Sequence, residues 1–513
     1  MTVIIPAWSR SALRLTDNPI VKLAQLFMHN QLGAELLLLQ PLPWLRYQLQ
    51  ANHLTTLPWW NVFDDLQQVH QAEGLPLGLE DLDLPRDTQF VYLADKVLLV
   101  QGQRIAGEVT FHAAGFVSQV TLTNPDGTRV IRTYDDRGFC ATQTTYDHRN
   151  NRVETLWFNP ATQPVMRRAA DNHVDLLAAG GQVTQTYTSL EELIIERVQT
   201  HLAGRDDLII SAADPVTADI LTPIAQQHRV AYLLANRVAP TLPDNLFAAL
   251  ERVIAPTQQM AKKFRQVNAN LDVPVDVVSP YATTLSLGNS TELPETTIVW
   301  AVNYQPLHEQ ALVTRQLTDW LVQDEQHAIT IIATSKVAAD RLVRQFRQRI
   351  IAAADIAEDS PEYLLLQGLL IQLENHQALM QPDKLPAAIQ TVIGSLQRVR
   401  VRYRLTDHDR QEILGGARLL IDLGEIPNLQ LQIAAISAGI PQINRVATGY
   451  VADHENGLIV SHLTDLPAAL DFYLATLIHW NESLVKSINY LEDLAEPKLL
   501  AYWKGVITHG EHA

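Results

Sequence analysis

A block of alternating residues between about residues 89 and 168 restricts the folds that this chain can adopt. Within it, Thr, Val, Tyr and Phe alternate with polar residues in short runs, as in strands that have one buried face. Segments such as Asn124–Gly127 and His148–Asn151 separate the runs, and their residues are typical of β-hairpin turns. The block therefore predicts an antiparallel β-meander.

The sequence on both sides of the meander alternates apolar strand-like runs with helical runs. The apolar residues Val3–Ile5 precede an amphipathic stretch that Asp17 or Asn18 would cap, with Pro19 in its first turn. Behind the meander, Ser189 and the acidic residues after it predict the start of another helix. A second series of strands and helices begins near residue 296. This alternation is typical of doubly wound α/β domains with parallel sheets.

These patterns predict an α/β fold of the GT-B-like class, in which two doubly wound Rossmann-like domains face a cleft. Ligands bind in such folds at the carboxyl ends of the parallel strands. The meander is predicted to be inserted in the first domain. The predicted ranges are 1–88 and 169–285 for the N-terminal Rossmann-like domain, 89–168 for the inserted antiparallel sheet, 286–480 for the C-terminal Rossmann-like domain and 481–513 for C-terminal helices.

Composition and charge exclude several classes of function. A formal net charge of -17 argues against a protein that tracks nucleic-acid phosphates, because such proteins need a basic surface. The single cysteine, Cys140, cannot form an intramolecular disulfide and is expected to be a plain buried thiol. No window approaches the roughly 18 uninterrupted apolar residues of a membrane span. We expect a cytoplasmic protein without a metal ion or a cofactor.

The segment from Asn428 to Asn444 resembles part of the sugar-nucleotide site of retaining GT-B glycosyltransferases. Its small-residue turn, Ser437–Pro441, matches the turn that joins a helix to a buried strand in those enzymes. The stretch "GYVADHENGLIV" matches their following glycine-containing segment. The resemblance implies a carboxylate at the helix start that holds the ribose, and a second, eight residues later, that manages the donor sugar.

Three parts of that constellation are missing from this chain. Counted back from Gly439, the two carboxylate positions fall on Ile426 and Ala434, although Glu425 is adjacent to the first. The Arg and Lys that would stabilise the departing diphosphate are replaced by Asn303 and His308. The expected glycine-rich loop after the first strand contains no glycine. The donor site is therefore predicted to be degenerate.

A wider resemblance covers essentially the whole chain. The stretches "IPAWSR", "PLPWLRYQLQ", "WWNVFDDLQ" and "DLGEIPNLQLQIAAISAGIPQINRV", together with the meander, resemble the first accessory secretory proteins of the accessory Sec system of Gram-positive bacteria. The resemblance implies a GT-B-like protein without transferase activity that supports the export of glycosylated serine-rich repeat adhesins and binds their glycans. The implied partners are two companion accessory secretory proteins, the accessory Sec motor ATPase and the adhesin. Contact with the membrane would be indirect, through these partners.

Two interpretations stay open from the residues. The alternative to a non-catalytic component is an active retaining glycosyltransferase that uses a UDP-sugar, with Glu425 on the ribose and His308 on the diphosphate. Trp59 and Trp60 are candidates for glycan or partner contacts, because a tryptophan face covers a large apolar area. Ordinary packing in the folded protein is the other explanation for both tryptophans.

Overall fold

A computed structural model describes residues 1–8, 18–70, 73–235, 239–269, 272–357, 359–374 and 384–508. Its contacts divide the chain into two compact units. The first is built from residues up to 255 together with 264–276, and the second from residues 256–263 and those from 277 onward. Asp17, one of the two predicted caps, lies outside the described residues. The other cap is confirmed, because Asn18 Oδ1 accepts a hydrogen bond from Ile20 N at 2.9 Å.

The described residues form strands and helices that are numbered in chain order. The strands are β1 Thr2–Ile5, β2 Ala34–Leu38, β3 Trp59–Asn61, β4 Gln89–Tyr92, β5 Lys96–Gln101, β6 Arg104–Phe111, β7 Val117–Thr123, β8 Arg129–Tyr134, β9 Cys140–Tyr146, β10 Arg152–Phe158, β11 Pro164–Ala169, β12 Val174–Leu177, β13 Val183–Tyr187, β14 Leu208–Ala212, β15 Val230–Leu233, β16 Arg252–Ala255, β17 Val275–Val277, β18 Thr296–Val302, β19 His327–Ala333, β20 Val399–Arg402, β21 Leu419–Asp422, β22 Gln442–Asn444 and β23 Gly457–Ile459. The helices are α1 Pro19–His29, α2 Leu45–Ala51, α3 Val62–Leu66, α4 Leu190–Leu202, α5 Pro215–Ala225, α6 Asp244–Phe247, α7 Gln258–Val267, α8 Leu307–Leu321, α9 Lys336–Ala353, α10 Pro361–Glu374, α11 Ala387–Gln397, α12 Asp407–Gly415, α13 Leu429–Ala438, α14 Leu466–Leu474, α15 Leu477–Leu494 and α16 Glu496–Thr508.

The first unit combines a parallel sheet with the predicted meander. The parallel sheet has seven strands in the order β17-β16-β15-β14-β1-β2-β3. Parallel ladders join its strands from β16 to β3. As predicted, Ser189 caps α4, because its side chain accepts a hydrogen bond from Glu192 N at 3.2 Å. The chain leaves this sheet after β3 and returns to it at β14, so the antiparallel sheet is an insertion in the first domain.

The inserted sheet contains ten strands in sequential order from β4 to β13, and each neighbouring pair is antiparallel. Both predicted turns join strands, and Gly127 and Asn150 have φ values of 83° and 65°. These left-handed values explain why glycine and asparagine occur there. The sheet continues to Tyr187, so the predicted end at residue 168 is too early. Its last strands, β12 and β13, are short and carry little apolar alternation.

Buried polar contacts attach the inserted sheet to the parallel domain. Arg137, in the β8–β9 turn, donates to both carboxylate oxygens of Asp64 on α3, at 2.8 and 2.7 Å. It also donates to Asp135. The Trp44 indole donates to the backbone oxygen of Tyr134 at 3.1 Å. These partners lie about 70 to 90 residues apart in sequence, so the bonds join the inserted sheet to the first domain.

The second unit is a six-stranded parallel sheet in the order β20-β19-β18-β21-β22-β23. Alternate residues of β18 belong to different apolar clusters. Ile298 and Trp300 pack with residues of α8 and α9, whereas Val299 and Ala301 pack with residues of α13 and α15. Helices therefore cover both faces of the sheet, which confirms the predicted doubly wound fold.

The C-terminal helices belong to the second unit. The predicted start of a separate helical segment at residue 481 lies inside α15, and Trp480 of this helix packs in the same cluster as α13. The strand β20, with the sequence VRVR, was not predicted, because its arginines hide the alternation of an edge strand. Within the described ranges, no helix combines the length and apolar character that crossing a membrane requires.

Candidate functional site

The predicted helix, turn and strand around Gly439 are present in the second unit. The helix α13 begins after Asn428, whose Oδ1 accepts a hydrogen bond from Leu431 N at 3.2 Å. It ends at Gly439, which has a φ of 71°. A Cβ atom at Gly439 would lie 2.3 Å from Cδ1 of Leu484. Glycine is therefore required here both by the left-handed backbone and by the close approach of α15.

Ala434, at the second predicted carboxylate position, and Glu425, beside the first at Ile426, do not form an acidic site. Ala434 is half-buried on α13 and packs against the apolar cluster that contains Val299 and Leu420. Glu425 is exposed in the loop after β21, and its backbone N–H contacts Tyr304 O at 3.4 Å. Ala434 therefore serves packing, and the carboxylate of Glu425 is directed to solvent.

A different carboxylate, that of Asp422 at the end of β21, is bonded to residues at the start of α13. Its Oδ2 accepts hydrogen bonds from Asn428 N at 2.7 Å and from the Gln432 side chain at 2.9 Å. Burial raises the pKa of Asp422 to about 6, against the opposing effect of these donors. Backbone N–H groups at the start of a helix are good ligands for phosphate and other anions. At α13 the N–H of Asn428 is instead bonded to the carboxylate of Asp422.

Asp422 is part of a buried polar network beneath α13. Gln432 Oε1 accepts a hydrogen bond from the Thr448 hydroxyl at 2.9 Å, and its backbone oxygen accepts one from the Gln442 side chain at 2.8 Å. Asn444, the neighbour of Asp422 in the β21–β22 register, is also fully buried. Sequence analysis missed this network. The signal that could have revealed it was the polar residues in the short apolar strands "LLID" and "QIN".

The predicted cation positions also serve internal contacts or solvent. Asn303 follows β18, and its side-chain amide donates to Ile426 O at 2.5 Å. The loops after β18 and β21 touch, because a Cβ atom at Gly424 would lie 2.1 Å from Asn303 O. His308 is exposed in the first turn of α8. The Asn303 side chain thus joins the loop after β18 to the loop after β21. His308 lies at the surface.

One cation at this edge of the sheet escaped sequence analysis. Arg445 follows β22, and its Nη1 lies 3.0 and 2.8 Å from the two carboxylate oxygens of Glu309 on α8. The pair neutralises a positive charge close to the ends of the strands where ligands of parallel sheets bind. Nη1 of Arg445 therefore has an internal anionic partner on α8.

The two candidate tryptophans lie in the first unit, on the edge strand β3. Both are half-buried. The ring of Trp60 stacks on the His201 imidazole of α4, with centroids 4.3 Å apart and an angle of 13° between the planes. His201 in turn lies 3.3 Å from Glu35, and hydrogen bonds from His201 and Arg205 lower the pKa of Glu35 despite its partial burial. Part of the Trp60 surface is therefore already used inside the protein.

The thiol of Cys140 and possible metal ligands are the remaining candidate groups. Cys140 is half-buried, and burial raises the pKa of its thiol to about 11, so it stays protonated at neutral pH. Over the residues that the structure describes, no group of three or more His, Cys, Asp or Glu side chains is arranged to hold a metal ion.

Comparison with known proteins connects this site to a family. The family model for the first accessory secretory protein of the accessory Sec system matches residues 3–509. The chain belongs to this family. It is 26% identical over 522 residues to accessory secretory protein 1 of the accessory Sec system of Streptococcus gordonii. The match covers 98% of this chain and 94% of the relative. The family resemblance predicted from the sequence is therefore confirmed.

Solved structures confirm the predicted fold class. The structure of accessory secretory proteins 1, 2 and 3 of Streptococcus pneumoniae contains a chain that matches with a TM-score of 0.73 and 20% identity, over 99% of each chain. The pneumococcal O-GlcNAc transferase GtfA, crystallised with UDP and GlcNAc, matches with a TM-score of 0.68 and 10% identity, over 100% of this chain and 99% of that chain. This member of the accessory secretory protein family therefore has the fold of a GT-B glycosyltransferase.

Proposed function

We propose that this chain is a non-catalytic component of the accessory Sec system and acts in a cytoplasmic complex with two companion accessory secretory proteins. Membership of the family supports the system, and the solved pneumococcal assembly of accessory secretory proteins 1, 2 and 3 supports the companions. The complex would support export of glycosylated serine-rich repeat adhesins and pass them to the motor ATPase. Contact with the membrane would come only through these partners.

The observation that carries the non-catalytic assignment is the internal use of Asp422 and Asn428 at the start of α13. Transfer from a UDP-sugar needs positive charge or N–H donors near the departing diphosphate, because negative charge develops there. Arg445 is paired with Glu309, and Asn303 is bonded to Ile426 O. These internal contacts of Arg445 and Asn303 support the proposal.

A role for the fold without transfer is contact with the adhesin glycans. Such contact needs aromatic faces and hydrogen-bond donors rather than an activated diphosphate. Trp59 is the better of the two tryptophan candidates, since one face of Trp60 is covered by His201. Loss of adhesin binding in Trp59→Ala, with complex formation retained, would support this assignment.

The test of the non-catalytic assignment is a comparison of UDP binding and sugar transfer. We expect no heat of UDP binding by calorimetry, and no labelled sugar on an unmodified adhesin incubated with UDP-GlcNAc or UDP-glucose. Glu425→Ala should behave like the unaltered chain, because the Glu425 carboxylate is exposed. The pneumococcal GtfA serves as the active control of the same fold. Transfer that Glu425→Ala abolishes would instead establish an active enzyme with a divergent donor site.

A further inference from the structure

The strand β4 forms one free edge of the ten-stranded sheet. Among the strands of the described residues it pairs only with β5, since it stands last in the strand order. Every residue of β4 is exposed, including Phe90 at 40%, Val91 at 44% and Tyr92 at 70%. Leu93, directly after it, is 48% exposed. Four consecutive large apolar residues therefore lie on an unprotected sheet edge.

The hydrogen-bond pattern of β4 leaves main-chain groups directed away from the sheet. Leu93 N donates to Lys96 O at 2.9 Å in the turn that joins β4 to β5. Since bonded and non-bonded pairs alternate in an antiparallel ladder, Val91 faces β5 with its main-chain groups. Phe90 and Tyr92 then form the non-bonded pairs, opposite Leu99 and Val97. Their N–H and C=O groups point outward, where a further strand would bind them.

The side chains of β4 also match a strand that is covered in an assembly. Phe90 and Tyr92 lie on one face of the sheet, and Val91 and Leu93 on the other. Exposed edges of natural sheets usually carry lysine, proline or a bulge that prevents pairing with another chain. β4 has none of these features. The main-chain groups at the edge can therefore pair with a partner strand, and the apolar side chains on both faces can pack against its side chains.

The opposite edge of the sheet has a different character. β13, Val183–Tyr187, has Thr, Gln and Thr between its end residues. The Tyr187 hydroxyl donates to Glu196 on α4 at 2.9 Å, which ties the end of this strand to a helix of the same unit. The two edges thus differ in polarity, and only β4 offers a continuous apolar strand.

Charge decides which kind of strand can pair with β4. Three exposed acidic residues flank it, Asp83, Asp87 and Asp95, against one exposed arginine, Arg86. The nearby Lys96 is already paired with Glu108 at 2.7 Å. The flanks of β4 are therefore acidic on balance.

A second copy of this chain does not suit the edge. Antiparallel pairing that sets Phe90 of one copy against Tyr92 of the other would bring the turn that contains Asp87 close to the β4–β5 turn of the other copy, which contains Asp95. Like charges brought close together repel each other, so the acidic flanks oppose this pairing. A strand of another protein with apolar residues between basic ones fits this edge better.

We infer that β4 is the docking edge for one of the two companion accessory secretory proteins, which adds an apolar strand flanked by Lys or Arg to the ten-stranded sheet. The inference rests on the proposed function, because it takes its partner from the proposed complex. Main-chain bonds to Phe90 and Tyr92 supply affinity, and the side chains on both faces supply specificity.

Matched substitutions on the two sheet edges test the inference with purified companions. Val91→Asp on β4 and Val183→Asp on β13 place the same charge at sites of similar exposure, 44% and 49%. We expect Val91→Asp to weaken the complex by at least about tenfold, as for a central contact residue, and Val183→Asp to leave it unchanged. Binding is measured by surface plasmon resonance, and thermal unfolding checks that each variant is folded.

Hydrogen exchange of the unaltered chain provides a second measurement that does not depend on a variant. The amides of Phe90 and Tyr92 should become protected when the companions bind, whereas the Val91 amide is already bonded to β5. Equal exchange at Phe90 and Tyr92 in the free and bound states would overturn the inference, as would full binding by Val91→Asp. If the unaltered chain fails to bind the companions at all, the proposed function itself is wrong.

Discussion

At the scale of single residues, Asp422 carries a buried charge whose cost depends on pH. Burial raises the pKa of its carboxyl from an ordinary value near 3.8 to about 6, so the folded chain keeps this proton where the unfolded chain has lost it. The contribution of this group to the free energy of unfolding therefore falls as the pH rises from about 4 to about 6, and it stays low at higher pH.

We expect Asp422→Asn to raise the free energy of unfolding by roughly 2 kcal/mol at pH 8, because each pKa unit corresponds to about 1.4 kcal/mol. The gain should be smaller at pH 5. The Asn side chain keeps a carbonyl oxygen that can accept the hydrogen bonds from Asn428 N and Gln432. Urea unfolding at the two pH values measures the effect, and Asp471→Asn on the exposed side of α14 is the control. An equal gain at both pH values would contradict the electrostatic explanation.

Gly439 is a second residue whose role can be tested alone. Gly439→Ala would place a side chain on a φ of 71° and against Leu484, so we expect the free energy of unfolding to fall by about 2 kcal/mol. The control is Gly505→Ala in α16, where nothing lies within 4 Å of the new Cβ atom. That change should raise stability by up to about 1 kcal/mol, because alanine favours helix. Effects of the same sign in both variants would show that the backbone at Gly439 is not the cause.

At the scale of elements, the ion pairs of Arg137 hold the inserted sheet on the first domain. The Arg137 side chain is 5% exposed, and burial raises the pKa of its partner Asp135 to about 6 even beside the guanidinium. We expect Arg137→Ala to lower the free energy of unfolding by about 3–5 kcal/mol, because the buried Asp135 and the part-buried Asp64 lose their cation. The measurement is urea unfolding.

The control for the Arg137 prediction is a more exposed ion pair in the same sheet. Lys96 contacts Glu108 at 2.7 Å, and the two side chains are 32% and 36% exposed. Solvent screens this pair, so Lys96→Ala should lower the free energy of unfolding far less than Arg137→Ala. Similar costs for the two variants would mean that burial at the junction contributes little to the attachment of the sheet.

Elements with a strong local signal were predicted well. The caps at Asn18 and Ser189, the turns at Gly127 and Asn150 and the end of α13 at Gly439 all depend on residues within a few positions of each other. The strands that were missed or cut short have weak local signals. β20 contains two arginines, and β12 and β13 are short, so only pairing with their neighbours defines them.

At the scale of the whole molecule, the sequence by itself determined the two α/β series, the inserted meander and the family. Periodicity and residue identity are local properties, so they can be read along the chain. The tertiary structure alone decided that Asp422 lies under α13, that Glu309 neutralises Arg445 and that β4 is a free edge. These facts depend on burial and on partners far apart in sequence. Burial and long-range contacts arise only when the chain folds, so they cannot be read from one stretch of the sequence.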